Sequence, residues 1–236
     1  MNEYGKIVEC LFPDRTALVF AKTVLIFSLL FVGISILLPL YNVAVKYDLI
    51  DAVPLLGYYH ITDLGSEASV ISRFLYLLEI STATFFFIAF VLTRKRFFVF
   101  FAILYLIIFF DDYLQIHETF GMFLDRNFML SNIFGLREQD VGELVAWLIM
   151  AICIIPLGIT SFRKLNRAEI IYCYAVGSSF AVLLFCAVVL DMIRILVNRD
   201  GMMWHAIGIL EDGGELVAIS LTLGLAFAAI RQSKAN

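Results

Sequence analysis

Charge is what this sequence has least of. Only 16% of its 236 residues are Asp, Glu, Lys or Arg, against about 25% in an ordinary soluble domain. Proline is scarce, with 4 residues, so little interrupts long helices. Cysteine is equally scarce. Cys10, Cys153, Cys173 and Cys186 show no Cys-x-x-Cys spacing, which excludes a thiolate zinc motif. Basic residues are not in excess, with 17 Lys+Arg against 21 Asp+Glu, so the footprint of a nucleic-acid-binding protein is missing. Gly-rich phosphate loops, a Gly-x-Ser-x-Gly elbow and a His-Glu-x-x-His pair are absent too. What abounds is apolar: 62% of the chain is hydrophobic, with 23 Phe and 10 Tyr and a mean hydropathy of +0.93. That many aromatics exclude disorder. So large an apolar excess excludes a water-soluble domain and leaves an all-α, polytopic membrane protein.

Six apolar segments, about 17–40, 69–93, 97–120, 139–161, 168–197 and 204–230, each reach the roughly 20 residues that cross a ~30 Å hydrocarbon core as a helix. Lipid offers free backbone groups no partner, and the ~10-residue alternating strands of a barrel are not seen. The first segment is too long for a cleaved signal peptide and is expected to stay as an anchor. The whole chain, 1–236, is expected to form one transmembrane domain of three hairpins.

Basic residues set the orientation. The N-terminus, the 94–96 and 162–167 loops and the C-terminus carry eleven Lys/Arg against four acids, net +7. The other half carries six against 17, net −11. Short basic loops stay cytoplasmic, so both termini are expected inside, in a plasma (inner) membrane, with membrane lipid as the partner. The acidic excess outside is larger than orientation requires, since acids contribute little to it.

An internal echo joins the fourth and sixth spans. Asp140-Val-Gly-Glu-Leu-Val-Ala146 matches Asp212-Gly-Gly-Glu-Leu-Val-Ala218 at six of seven positions. Each copy follows a helix with acids near its outer end, Asp111/Asp112 and Asp191. A duplicated hairpin would place a site at the repeat interface.

Counted from the inner basic band, Glu79, Asp111 and Glu215 lie roughly 22–24 Å up a helix, inside the outer part of the hydrocarbon core. A charge at mid-bilayer costs about 2.5–3.5 kcal/mol on insertion scales, so such acids face the bundle interior or a wet cavity. Helical spacing gives each span a polar face: Ser72/Glu79/Ala83, Asp111/Gln115/Glu118, Asp140/Glu143, Asp191/Arg194/Asn198 and Glu211/Glu215/Ala218/Thr222. Plainer explanations stand beside this. Asp191 and Arg194 can form an i,i+3 ion pair. Asp140 and Asp212 suit helix N-termini, and Arg73 can neutralise Glu79 or Glu67. The three Cys within spans suit packing.

All three histidines, His60, His117 and His205, fall on the acidic side, one per hairpin. Imidazole beside carboxylates suits Zn, Fe or Mn. The expected ligand set is Asp112, His117, Glu118, Glu143, Asp191, Glu211 and Glu215, with Glu79, Asp111, Asp212 and Arg194 completing the pocket. On an ideal helix Asp112 and His117 point about 140° apart, so helix geometry alone does not pair them. Three functions compete: a divalent-metal site of an intramembrane enzyme acting on an apolar or lipid substrate, a cation- or proton-coupled transporter, and a structural membrane subunit.

Overall fold

The computed structural model describes residues 11–12, 14–46, 69–128, 135–197 and 202–235, and within them the chain is all-helical. Seven helices follow one another: α1 Arg15–Lys46, α2 Val70–Thr93, α3 Arg96–Leu114, α4 Ile116–Phe128, α5 Glu138–Ser161, α6 Arg167–Leu196 and α7 Met202–Ala235. All but α4 are long and apolar enough to cross a membrane. His60, Glu67 and Cys10 lie outside the described residues.

Local chemistry sets the helix ends. Ser69 caps α2, its hydroxyl accepting from the Ser72 N–H at 3.0 Å. Arg94 then turns left-handed at φ 59°, its N–H closing on the Phe90 carbonyl, and α3 starts two residues on. Asp140 holds the start of α5 by accepting from the Arg137 backbone N–H at 2.8 Å and from its guanidinium at 2.6 Å. Asn166 and Glu169 form a reciprocal capping box at the start of α6. Residues 185–190 of α6 widen into a π-helical stretch, a feature frequent at functional sites.

The third span departs from the sequence expectation. It ends at Leu114 rather than 120, because Gln115 adopts a left-handed conformation at φ 51°. The remainder becomes α4, whose face then no longer continues that of α3. The supposed Asp111/Gln115/Glu118 stripe therefore does not exist as one helical face. The Asp111 side chain reaches forward instead and accepts from the His117 backbone N–H at 2.9 Å. That amide lies in the first turn of α4 and has no partner within the helix, so Asp111 caps the new helix from the end of the old one.

Helix α7 is the centre of the bundle. It packs against α1, α2 and α6, while α2 also packs on α3 and α5 on α3 and α4. In α7, 72% of the most apolar stretch is buried, against 17–44% in the other five long helices. Its composition explains this: Gly213, Ala218, Ser220, Thr222, Gly224, Ala226 and Ala229 are buried and small, letting neighbours approach. The hydroxyls among them are satisfied internally. Tyr105 donates to Thr222 at 3.0 Å, Thr222 bonds Ser179 at 3.0 Å, and both Ser179 and Thr222 end on the Ala218 carbonyl. The outward faces of α1, α5 and α6 carry large exposed apolar side chains such as Leu29, Leu37, Ile152, Ile159 and Val182.

Helix α4 lies against α5 through two glycines. A Cβ on Gly142 would stand 2.7 Å from the Gly121 Cα and 2.8 Å from its carbonyl oxygen. Gly177, by contrast, has nothing within 4 Å. Gly142→Val is therefore expected to cost about 1–3 kcal/mol through overpacking and to lower the unfolding temperature in detergent. Gly177→Ala leaves it unchanged or raises it slightly. Equal behaviour of the two variants would contradict this packing.

Candidate metal and polar pocket

One end of the bundle gathers the starts of α2, α5 and α7 with the ends of α3 and α6. Together with α4 they enclose a cavity of about 390 Å³, within the usual range for small-molecule sites. Seven carboxyls line it: Asp112, Glu118, Glu143, Asp191, Glu211, Asp212 and Glu215. All seven ligands expected from sequence, His117 included in place of Asp212, thus reach one cavity, as does Arg194. Apolar wall is supplied by residues such as Ile71, Leu75, Trp147, Leu183 and Leu216. His205 is exposed and stays outside.

The bases of the pocket are few and already engaged. Arg137 pairs with Asp140. Arg194 reaches across to Glu211 at 3.1 Å and lies 4.1 Å over the Trp204 ring. This replaces the expected Asp191–Arg194 ion pair: the guanidinium fits against Gly208 of α7, where a Cβ would come within 2.8 Å of it. Arg73 is exposed and forms no ion pair with Glu79. Asp140 does serve a helix N-terminus, but Asp212 does not, because α7 begins ten residues earlier, at Met202. Glu79, Asp111 and Asp140 stand just behind the lining acids, so ten carboxyls face Arg137, Arg194 and His117. Two carboxylates 5 Å apart repel by about 3 kcal/mol at an effective dielectric near 20. Carboxyls so placed relieve that repulsion by keeping protons or by taking up positive charge.

Asp111 and His117 are its most defined pair. Asp111 is fully buried, and beyond the backbone bond its second oxygen meets His117 Nδ1 at 2.9 Å. Both Asp111 oxygens are thereby used, and Nε2 is the ring nitrogen left for a ligand. Ligand atoms of Asp111, Asp112 and His117 lie within 4.8 Å of one another, so this group could hold a metal ion. Glu143, whose Oε1 accepts from Gln139 at 2.8 Å, acts on the imidazole through its charge. Burial opposes the imidazolium. The Asp111 hydrogen bond and the charges of Asp111, Asp112 and Glu143 outweigh it and push the His117 pKa up to about 9.

Sequence spacing had separated Asp112 from His117 by assuming an unbroken helix. No Gly or Pro near Gln115 announces the turn, so nothing local predicts it. Gln139, Trp147 and Tyr76 also line the cavity; they carry no motif, and only the fold brings them in.

Fold and pocket define the class: an all-helical bundle with six helices of membrane-crossing length and a carboxylate-His cavity at one end. Residues 17–229 match the family described as a domain of unknown function, DUF8692, and the chain belongs to that family. No curated protein and no solved structure matches it.

The raised His117 pKa gives a signed prediction for metal-free protein. A group with a folded pKa near 9 and an ordinary value of 6.5 contributes stability that is complete below about 6.5 and lost as pH rises through 9. The unfolding temperature of the chelator-treated protein is expected to fall between pH 6.5 and 9.5. Asp111→Asn should flatten that slope; an equally steep fall in the variant would contradict the pairing.

Proposed function

We propose that this chain is a multi-pass membrane protein whose one-sided pocket binds a divalent metal and serves an intramembrane enzyme acting on an apolar or lipid substrate. In this reading both termini are cytoplasmic and the pocket opens on the opposite side, because the basic loops gather at the other end of the bundle. The observation that carries the metal is the Asp111–Asp112–His117 group. Asp112 and His117 Nε2 would be ligands, with Glu118 and Glu143 as nearby oxygen donors. Asp111, bonded to the other ring nitrogen, would fix the ring and its tautomer, as carboxylates behind metal-binding histidines do. Oxygen and imidazole donors suit Zn, Fe or Mn. A metal there supplies a Lewis acid or lowers the pKa of a bound water.

The chain's own groups do the rest. Leu75, Trp147, Leu183 and Leu216 offer an apolar wall to a hydrocarbon substrate, beside polar groups that would orient its head. A transporter would need a polar route onward from the pocket. The hydroxyls below it, Tyr105, Thr222 and Ser179, close on the Ala218 carbonyl instead, which favours the one-sided pocket. A purely structural subunit would give each buried acid its own partner, and Glu79 has no hydrogen-bond partner.

Elemental analysis of protein purified in detergent tests this. At least one divalent metal per chain is expected. Asp112→Ala should abolish binding, and Asp111→Asn should weaken it about 10–100-fold, the usual effect of losing the carboxylate that orients a metal-binding histidine. Wild-type protein that neither carries nor takes up Zn, Fe or Mn contradicts the proposal.

A further inference from the structure

A second cavity lies at the opposite, basic end of the bundle. It measures about 240 Å³ and is enclosed by the α2–α3 turn, the start of α6 and the end of α7. No residue of the acidic pocket lines it. Buried Phe98, Tyr172 and Ala229 give it an apolar floor. Exposed Lys95, Asn166 and Gln232 bring N–H groups to its polar mouth.

The charge around this cavity is one-sided. Arg94, Lys95 and Arg96 form the α2–α3 turn, and Arg163, Lys164 and Arg167 lead into α6. All six are exposed. Glu169 is the single acid in the stretches 93–98 and 162–173, which together carry net +5. Its two oxygens meet Lys95 Nζ and the Asn166 backbone N–H, each at 2.9 Å. The other five bases form no ion pair with any described residue. Orientation accounts for basic turns; it does not account for a cavity set between them.

Two properties name the occupant. The cavity is smaller than the roughly 300–1,000 Å³ that encloses a whole drug-sized molecule, so it suits the head of a larger one. It also sits where the apolar spans end. Leu92 and Ile170, next in the chain to the lining residues Thr93 and Glu169, are apolar and exposed. An anionic head carrying hydrocarbon tails matches both properties, and basic pockets between membrane helices take lipid headgroups in this way. Resting on the membrane reading of the chain but not on its metal, we propose that this cavity holds the headgroup of one anionic phospholipid. The phosphate lies at Lys95 and its flanking arginines, and the acyl chains run along the outside of α2 and α6. Glu169 limits the affinity, because it shares Lys95 with the headgroup and repels it.

Phosphatidylglycerol is the probe, set against phosphatidylcholine and inorganic phosphate. Delipidated full-length protein in detergent is titrated and read by native mass spectrometry. Wild type should retain one phosphatidylglycerol per chain in preference to phosphatidylcholine. Lys95→Gln should weaken retention about five-fold, the usual worth of one base at a membrane surface. Glu169→Gln keeps the capping box, where Gln serves as Glu does, and should strengthen retention. Arg15, exposed at the same end but not lining the cavity, is the control: Arg15→Gln removes the same charge and should change nothing. Equal losses in Lys95→Gln and Arg15→Gln, or no preference for phosphatidylglycerol, would overturn the site. Inorganic phosphate that displaces the lipid at equal concentration would assign the cavity to a free anion and overturn the lipid. A chain that stays in solution without detergent removes the membrane reading and this inference with it. Absence of metal from the far pocket sinks the metal reading alone.

Discussion

The fully buried Asp111 carboxylate accepts two hydrogen bonds from a single residue, His117, one from its backbone and one from its ring. A charge so placed is tolerated only when paired and hydrogen-bonded, and both conditions are met by breaking α3 at Gln115 and starting α4. The first bond caps the new helix. The second fixes the imidazole. Helix α4 is then laid on α5 at the Gly121–Gly142 contact, which brings Glu118 and Glu143 toward the same cavity. Local capping, helix packing and site geometry thus depend on one carboxylate.

The bundle divides its labour along its length. Toward the basic end, α7 buries small and apolar residues in a dry core with Phe86, Phe97, Phe98, Phe101 and Tyr172. Its few hydroxyls bond to one another and to backbone carbonyls, the economical way to keep polar atoms in an apolar interior. Toward the acidic end the same helix presents Glu211, Asp212 and Glu215 to the cavity. A helix that must be small on several sides and acidic at one end cannot also be strongly hydrophobic. That explains why the most buried of the six long helices is also the least hydropathic.

Much of this was legible in the sequence, because hydrocarbon is an undemanding solvent to read. Segments of about 20 apolar residues leave few options but helices, and acids at membrane depth must turn inward. Those two constraints turn Asp112, Glu211, Asp212 and Glu215 toward the bundle interior, and all four line the one cavity. What stayed hidden depends on contacts between distant residues. The turn at Gln115 is bridged by the hydrogen bonds of Asp111 to His117 and has no Gly or Pro to mark it in the sequence. Arg194 turns from Asp191, three residues away, to Glu211 on the next helix because Gly208 leaves room for it. The start of α7 at Met202 places Asp212 in mid-helix, where an N-terminal role is closed to it.

The central claim is that carboxylates from separate helices, with one imidazole, converge on a cation. X-ray absorption of the zinc-loaded protein measures that environment directly. The account predicts a shell of oxygen and nitrogen at about 2.0–2.2 Å, with the outer-shell scattering of one imidazole that disappears in His117→Ala. A shell of water alone, one containing sulfur, or an imidazole signal unchanged in that variant would contradict it.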